Sequence, residues 1–138
     1  MDFMSQETRS RVMSRIRGRD TKPEITVRRY LHCRGLRYTL HDRKLPGKPD
    51  LVFRTRKVAI FVHGCFWHGH EGCSTWKVPQ SRTDYWLAKI KGNRERDART
   101  IHLLEEQGWL VLVVWACQIN DRNLEQLHKT IISRSKAY

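Results

Sequence analysis

Two runs of sequence decide most of what this chain can fold into. "KVAIFV" (57–62) is apolar after its first residue and "WLVLVVW" (109–115) is apolar throughout, both rich in β-branched and aromatic side chains. A strand with one wet face alternates polar and apolar residues, so runs like these must be covered on both faces. The second in particular reads as a central strand with helices on either side. With 138 residues there is room for one such core, since domains run to about 100–150 residues. The expected fold is a single α/β domain, a central mixed sheet flanked by helices.

The rest of the chain supplies the covering elements. "TKPE" at Thr21–Glu24 has the form of a capping box with proline in the first turn, and Ile25, Val27, Tyr30 and Leu31 then form an apolar face until Gly35. This predicts a helix over 22–34. "LRYTL" (36–40) reads as a strand, and "LPGKPD" is a breaker cluster leading into a second strand, "DLVF". If the turn before "KVAIFV" centres near Thr55 and Arg56, antiparallel register puts Asp50 opposite residues 60–62, close to His63. Residues 83–107 predict a long helix with a core stripe at Leu87, Ile90, Ala98, Ile101 and Leu104, weakened by Gly92 and stopped by Gly108. Leu124, Leu127, Ile131 and Ile132 predict a last helix.

Lys and Arg number 27 against 14 Asp and Glu, a formal net charge of +13. That excess points to a polyanion, nucleic acid, bound with strong salt dependence. Residues 1–20 concentrate it: Arg9, Arg11, Arg15, Arg17 and Arg19 surround Val12, Met13 and Ile16, as in a basic helix or arm laid on phosphate. Residues 21–138 form the remaining domain. No stretch reaches the ~18 apolar residues of a membrane span, and the N-terminal segment lacks the apolar centre of a signal peptide. An intracellular protein is expected, its four cysteines thiols or metal ligands rather than disulfides.

"HGCFWHGHEGC" (63–73) crowds three histidines, two cysteines and a Phe-Trp pair into one loop. Cys65, His70 and Cys73, joined by Cys117 just past the last strand, make a Cys3His set suited to tetrahedral zinc with no open position, a structural site. His63 and His68 are then left for proton transfer. Phe66 and Trp67 either stack on exposed or loosened bases or pack beneath the loop as a small satellite core.

"LPGKPDLVF", "VAIFVHGCFWHGHEGC", "WKVPQSRTDYWLAKIKGNRERD" and "GWLVLVVWAC", in this order and at this spacing, resemble the very short patch repair (Vsr) mismatch endonucleases. The resemblance spans roughly residues 5–120. It implies a restriction-endonuclease-like fold that nicks one strand of double-stranded DNA beside the thymine of a T:G mismatch, using Mg2+ for chemistry and Zn2+ for structure. By the same resemblance Asp50 binds the magnesium together with the backbone carbonyl of Val62, where the family has threonine. His68 is the proton-transfer residue and His63 a water or phosphate contact. Glu24 is either a further acid of the site or only the helix-capping partner of Thr21. Asp97 is a possible orienter. Phe66, Trp67 and Trp86 enter the base stack, with Met13 and Ile16 either helping from the minor groove or packing in the core. A monomer in the bacterial cytoplasm is expected, with possible repair-protein partners. Two rivals stay open: a zinc-stabilised module that binds distorted nucleic acid without cutting it, and a nuclease for branched or single-stranded DNA.

Overall fold

The computed structural model describes residues 21–70, 73 and 81–134. The basic segment 1–20, with Met13 and Ile16, therefore lies outside the described residues. Helix α1 (Lys22–Cys33) begins at an N-cap, Thr21, whose side chain accepts the Glu24 N–H. Strands β1 (Thr39–Leu40), β2 (Leu51–Phe53) and β3 (Val58–His63) follow. Helix α2 (Thr83–Glu106) then leads into β4 (Leu110–Trp115), a short 3-10 turn (Ala116–Gln118) and α3 (Asp121–Ser133).

The sheet runs β1-β2-β3-β4, antiparallel across the first two pairings and parallel across the last. This is the mixed α/β architecture expected. Alternate residues feed two cores. Leu51, Phe53, Val58 and Ile60 pack with Val27 and Leu31 of α1 and Leu124 and Ile131 of α3. Val52, Ala59 and Phe61 pack with Leu104 of α2 and Trp109. The apolar character of β3 on both faces follows from that double covering.

Three expectations need correction. "WLVLVVW" is not a central strand: β4 closes one edge of the described sheet, half-buried along its length. Leu110, Leu112 and Val114 face one core and Val111 and Val113 the other, so both faces are apolar, but coverage of faces says nothing about the hydrogen-bonding edge. The first strand is only Thr39–Leu40; Leu36 and Tyr38, which precede it, pack against the core of Val27 and Leu31. In α2 the stripe holds at Ile90 and Leu104, whereas Leu87 and Ala98 are exposed. At 24 residues this helix spans about 36 Å, longer than the strands it covers, and Ala98 and Ile101 line an open cavity with Val113 and Trp115.

Ile60 is fully buried at the centre of the larger core. Ile60→Ala is expected to cost about 2–5 kcal/mol, seen as a lower urea midpoint with an unchanged slope; a loss below about 1 kcal/mol would contradict this packing.

Candidate active site and metal-ligand clusters

The functional side chains gather where β2 begins and where β3 and β4 end. Leu51 pairs with Ile60, so Asp50 falls beside the last residues of β3, and its Oδ2 accepts the Val62 N–H at 2.7 Å. The expected meeting of Asp50 with residues 60–62 is present. Parallel pairing sets His63 against Trp115, which brings Cys117 to the loop that follows β3.

On the acidic side, Glu24 is buried and its carboxylate accepts hydrogen bonds from Arg28 at 2.8 Å and from His41 Nε2 at 2.9 Å. Thr21 caps the Glu24 N–H, so Glu24 serves the cap through its backbone while its side chain faces His41. His41 Nε2 also lies 3.9 Å from Asp50 Oδ1. Burial, with the Glu24 charge adding to it, pushes the Asp50 carboxyl up to about 7 against the opposing Val62 N–H. A divalent cation would reverse that penalty. His41 escaped the sequence reading; the signal lay in pairing "LRYTL" with "DLVF", which sets 40 against 51 and carries 41 to 50.

On the histidine side, His63 and His68 stack with centroids 3.7 Å apart and rings 2° from parallel. His63 is buried, and burial first, then His68, hold it down near 4. His68 is partly open, and its Nδ1–H donates to Asp97 Oδ2 at 2.6 Å. His68, Asp97, Asp50, Glu24 and Val62 line one cavity of about 310 Å³ with Asn93 and Trp67. His63 instead lines the neighbouring cavity beside Trp115.

Cys65, His70, Cys73 and Cys117 each offer one ligand atom, all within 4.8 Å of one another. His70 lies flat on Trp115 at 4.1 Å, with its Nδ1 3.3 Å from Cys117 Sγ. Desolvation, then the Cys73 and Cys65 sulfurs, push the Cys117 thiol up to about 12, an effect a soft cation among them would invert. This donor set fits a tetrahedral ion of the zinc type. Cys33, at the end of α1, is exposed and is not one of the set.

Phe66, Trp67 and Trp86 form a mutual edge-to-face cluster with centroids 5.1–5.8 Å apart. All three are half-buried, and Asn93 ties the loop to α2 by donating to the Trp67 carbonyl at 2.9 Å. The cluster is neither sealed in a core nor standing free.

A family model described as DNA mismatch endonuclease Vsr matches residues 1–74. Type II nicking enzyme V.XorIIP of Xanthomonas oryzae pv. oryzae is 49% identical over 120 residues, covering 87% of this chain and 88% of that protein. DNA mismatch endonuclease Vsr of Escherichia coli K12 is 46% identical over 121 residues, covering 88% and 77%. Type II nicking enzyme V.NmeAIP of Neisseria meningitidis is 41% identical over 132 residues, covering 94% of each. The chain belongs to the Vsr family.

As a Vsr endonuclease it acts on DNA. Among the described residues the Vsr site has three groups that could hold an ion: oxygen-rich Glu24, His41 and Asp50, the His63, His68 and Asp97 set, and the sulfur-rich set around Cys65. Among the described residues no helix is long and apolar enough to cross a membrane.

Gly69 holds the Vsr loop against α2. Its φ is +64°, and a Cβ there would meet Ile90 Cγ2 at 2.6 Å and Arg94 Cδ at 2.8 Å. Gly69→Ala is expected to destabilise by about 1–3 kcal/mol, read by thermal unfolding; an unchanged transition would mean that the loop does not pack this closely.

Proposed function

We propose that this Vsr endonuclease nicks one strand of duplex DNA 5′ of the thymine in a T:G mismatch, leaving a 5′-phosphate and a 3′-hydroxyl. The observation that carries the reading is one cavity shared by Asp50 and by the His68–Asp97 pair, with Trp67 of the aromatic cluster on its wall. A module that only bound distorted DNA would have no use for a carboxylate raised to about 7 beside an oriented imidazole.

Asp50 and the Val62 carbonyl would hold Mg2+, with the Glu24 carboxylate beside them. When bound, the ion would supply Lewis-acid stabilisation of charge on the phosphate and would ease deprotonation of water. Asp97 fixes the proton of His68 on Nδ1, which leaves Nε2 as the nitrogen that exchanges a proton with water or the leaving oxygen. His63, stacked beneath, keeps the His68 ring in place. Phe66, Trp67 and Trp86 would enter the stack at the mismatch. Opening a normal base step costs a few kcal/mol and a T:G wobble less, so insertion converts weak stacking into selectivity. Residues 1–20, with Met13 and Ile16, would follow the duplex as a basic arm. Zn2+ held by Cys65, His70, Cys73 and Cys117 would pin the loop to the end of β4, its binding free energy adding to folding.

With T:G, matched and branched duplexes in magnesium, nicking is expected on the T:G duplex alone; cutting confined to branched DNA would remove the assignment. Asp50→Ala should abolish nicking with mismatch binding retained, and His68→Ala should slow it by about 10²–10⁴-fold. Cys117→Ser should lower zinc per chain and the melting temperature together; unchanged zinc by elemental analysis would contradict the cage.

A further inference from the structure

His41 has no part in the reading above, yet it stands between the two carboxylates of the acidic cluster. One ligand atom from each of Glu24, His41 and Asp50 lies within 4.8 Å of the others. His41 Nε2 is 2.9 and 3.1 Å from the two Glu24 oxygens and 3.9 Å from Asp50 Oδ1. Donors held about 2.1 Å from one ion sit about 3 Å apart at right angles and about 4.2 Å apart when opposed. The observed spacings fall in that range. Arg28 engages Glu24 Oε2, which leaves Oε1 as the donor oxygen.

The backbone is arranged for this nitrogen. His41 sits in the left-handed region, φ +49°, just past Leu40, where β1 stops pairing, and its N–H still donates to the Asp50 carbonyl at 3.2 Å. The turn therefore fastens His41 directly to Asp50, and its side chain is largely buried beside Glu24. A left-handed conformation is uncommon for a residue with a Cβ.

We infer that His41 is a nitrogen ligand at the Asp50 cation centre that manganese engages and magnesium does not, so that the centre binds Mn2+ more tightly than the Mg2+ with which it would work. The inference rests on the reading that Asp50 holds a cation. In the cation-free arrangement Nε2 carries the proton it donates to Glu24. On binding, the Nε2 proton passes to solvent and Nδ1 takes one up, so that the neutral imidazole presents a bare Nε2 to the metal. Imidazole suits first-row transition ions, while Mg2+ takes oxygen ligands and keeps its waters. Two carboxylates and one imidazole thus make a mixed set whose third donor favours Mn2+.

Mn2+ is the appropriate probe because the thiolate-rich cluster, kept zinc-loaded, does not compete for it. Binding of Mn2+ to the full zinc-loaded chain is followed by electron paramagnetic resonance, and pulsed measurements read ¹⁴N coupling to the bound ion. The wild-type protein is expected to show histidine nitrogen coupling that disappears in His41→Gln, with Mn2+ affinity falling about tenfold or more and Mg2+ affinity, read by competition, nearly unchanged. His41→Asn, which suits the left-handed backbone, should behave the same and guards against a merely misfolded variant. Bound Mn2+ without ¹⁴N coupling, or Mn2+ affinity in both His41 variants equal to that of the wild type, overturns the inference and leaves the cation at Asp50 standing. Mn2+ binding unaltered in Asp50→Asn overturns the cation reading itself.

Discussion

The 2.7 Å hydrogen bond from the Val62 N–H to Asp50 Oδ2 joins the entrance of β2 to the exit of β3, and the site depends on the register that sets it. Residues of the hairpin alternate between two cores of different make-up. Leu51, Phe53, Val58 and Ile60 face one, and Val52, Ala59 and Phe61 the other. Slipping the pairing by one residue would exchange every one of these side chains between faces. Each large apolar side chain fully buried is worth about 1.5–3 kcal/mol, so several together outweigh the cost of burying one carboxylate. The core therefore holds Asp50 in a position that its own electrostatics oppose.

That opposition is what makes the position useful. Asp50, raised by burial and by Glu24, gains most from a cation, and the flanking donors are oxygens and an imidazole. The cluster around Cys65, on the loop that follows β3, is dominated by sulfur. Hard and soft donors sort divalent ions by chemistry, so two different ions can sit at one sheet end without exchanging places. Parallel pairing of β3 with β4 makes this possible, because it aligns His63 with Trp115 and so delivers Cys117 to His70, 47 residues earlier in the chain.

Much of this could be read from the residues, for identifiable reasons. The hairpin was legible because β-branched runs and a countable turn fix which residue faces which, and Asp50 against 60–62 followed. Helix α1 announced itself through Thr21, Pro23 and Gly35. The edge position of β4 was hidden, since apolar faces report helices above and below and not a neighbouring strand. His41 was hidden because its strand pairs over only two residues, too short a run to carry register by pattern. Asp97 stood out as an orienter only through the resemblance, because a mid-helix charge carries no sign of the loop that brings His68 within 2.6 Å.

The loop after β3 carries Phe66, Trp67 and His68 on consecutive residues, and the proposed chemistry gains from that adjacency. The rings touch one another and Trp86, while His68 is fixed from behind by Asp97 and from below by His63. A duplex that resists the rings would hold its phosphate away from His68 and Asp50, so insertion and cleavage would share one rigid body. Each 1.4 kcal/mol by which a mismatched step opens more easily than a matched one would then appear as about tenfold in the population positioned for cutting. Discrimination would need no separate recognition site for the weakened pair, only a loop stiff enough to refuse partial insertion. Gly69 against Ile90, Asn93 on the Trp67 carbonyl and His70 on Trp115 supply that stiffness from three directions.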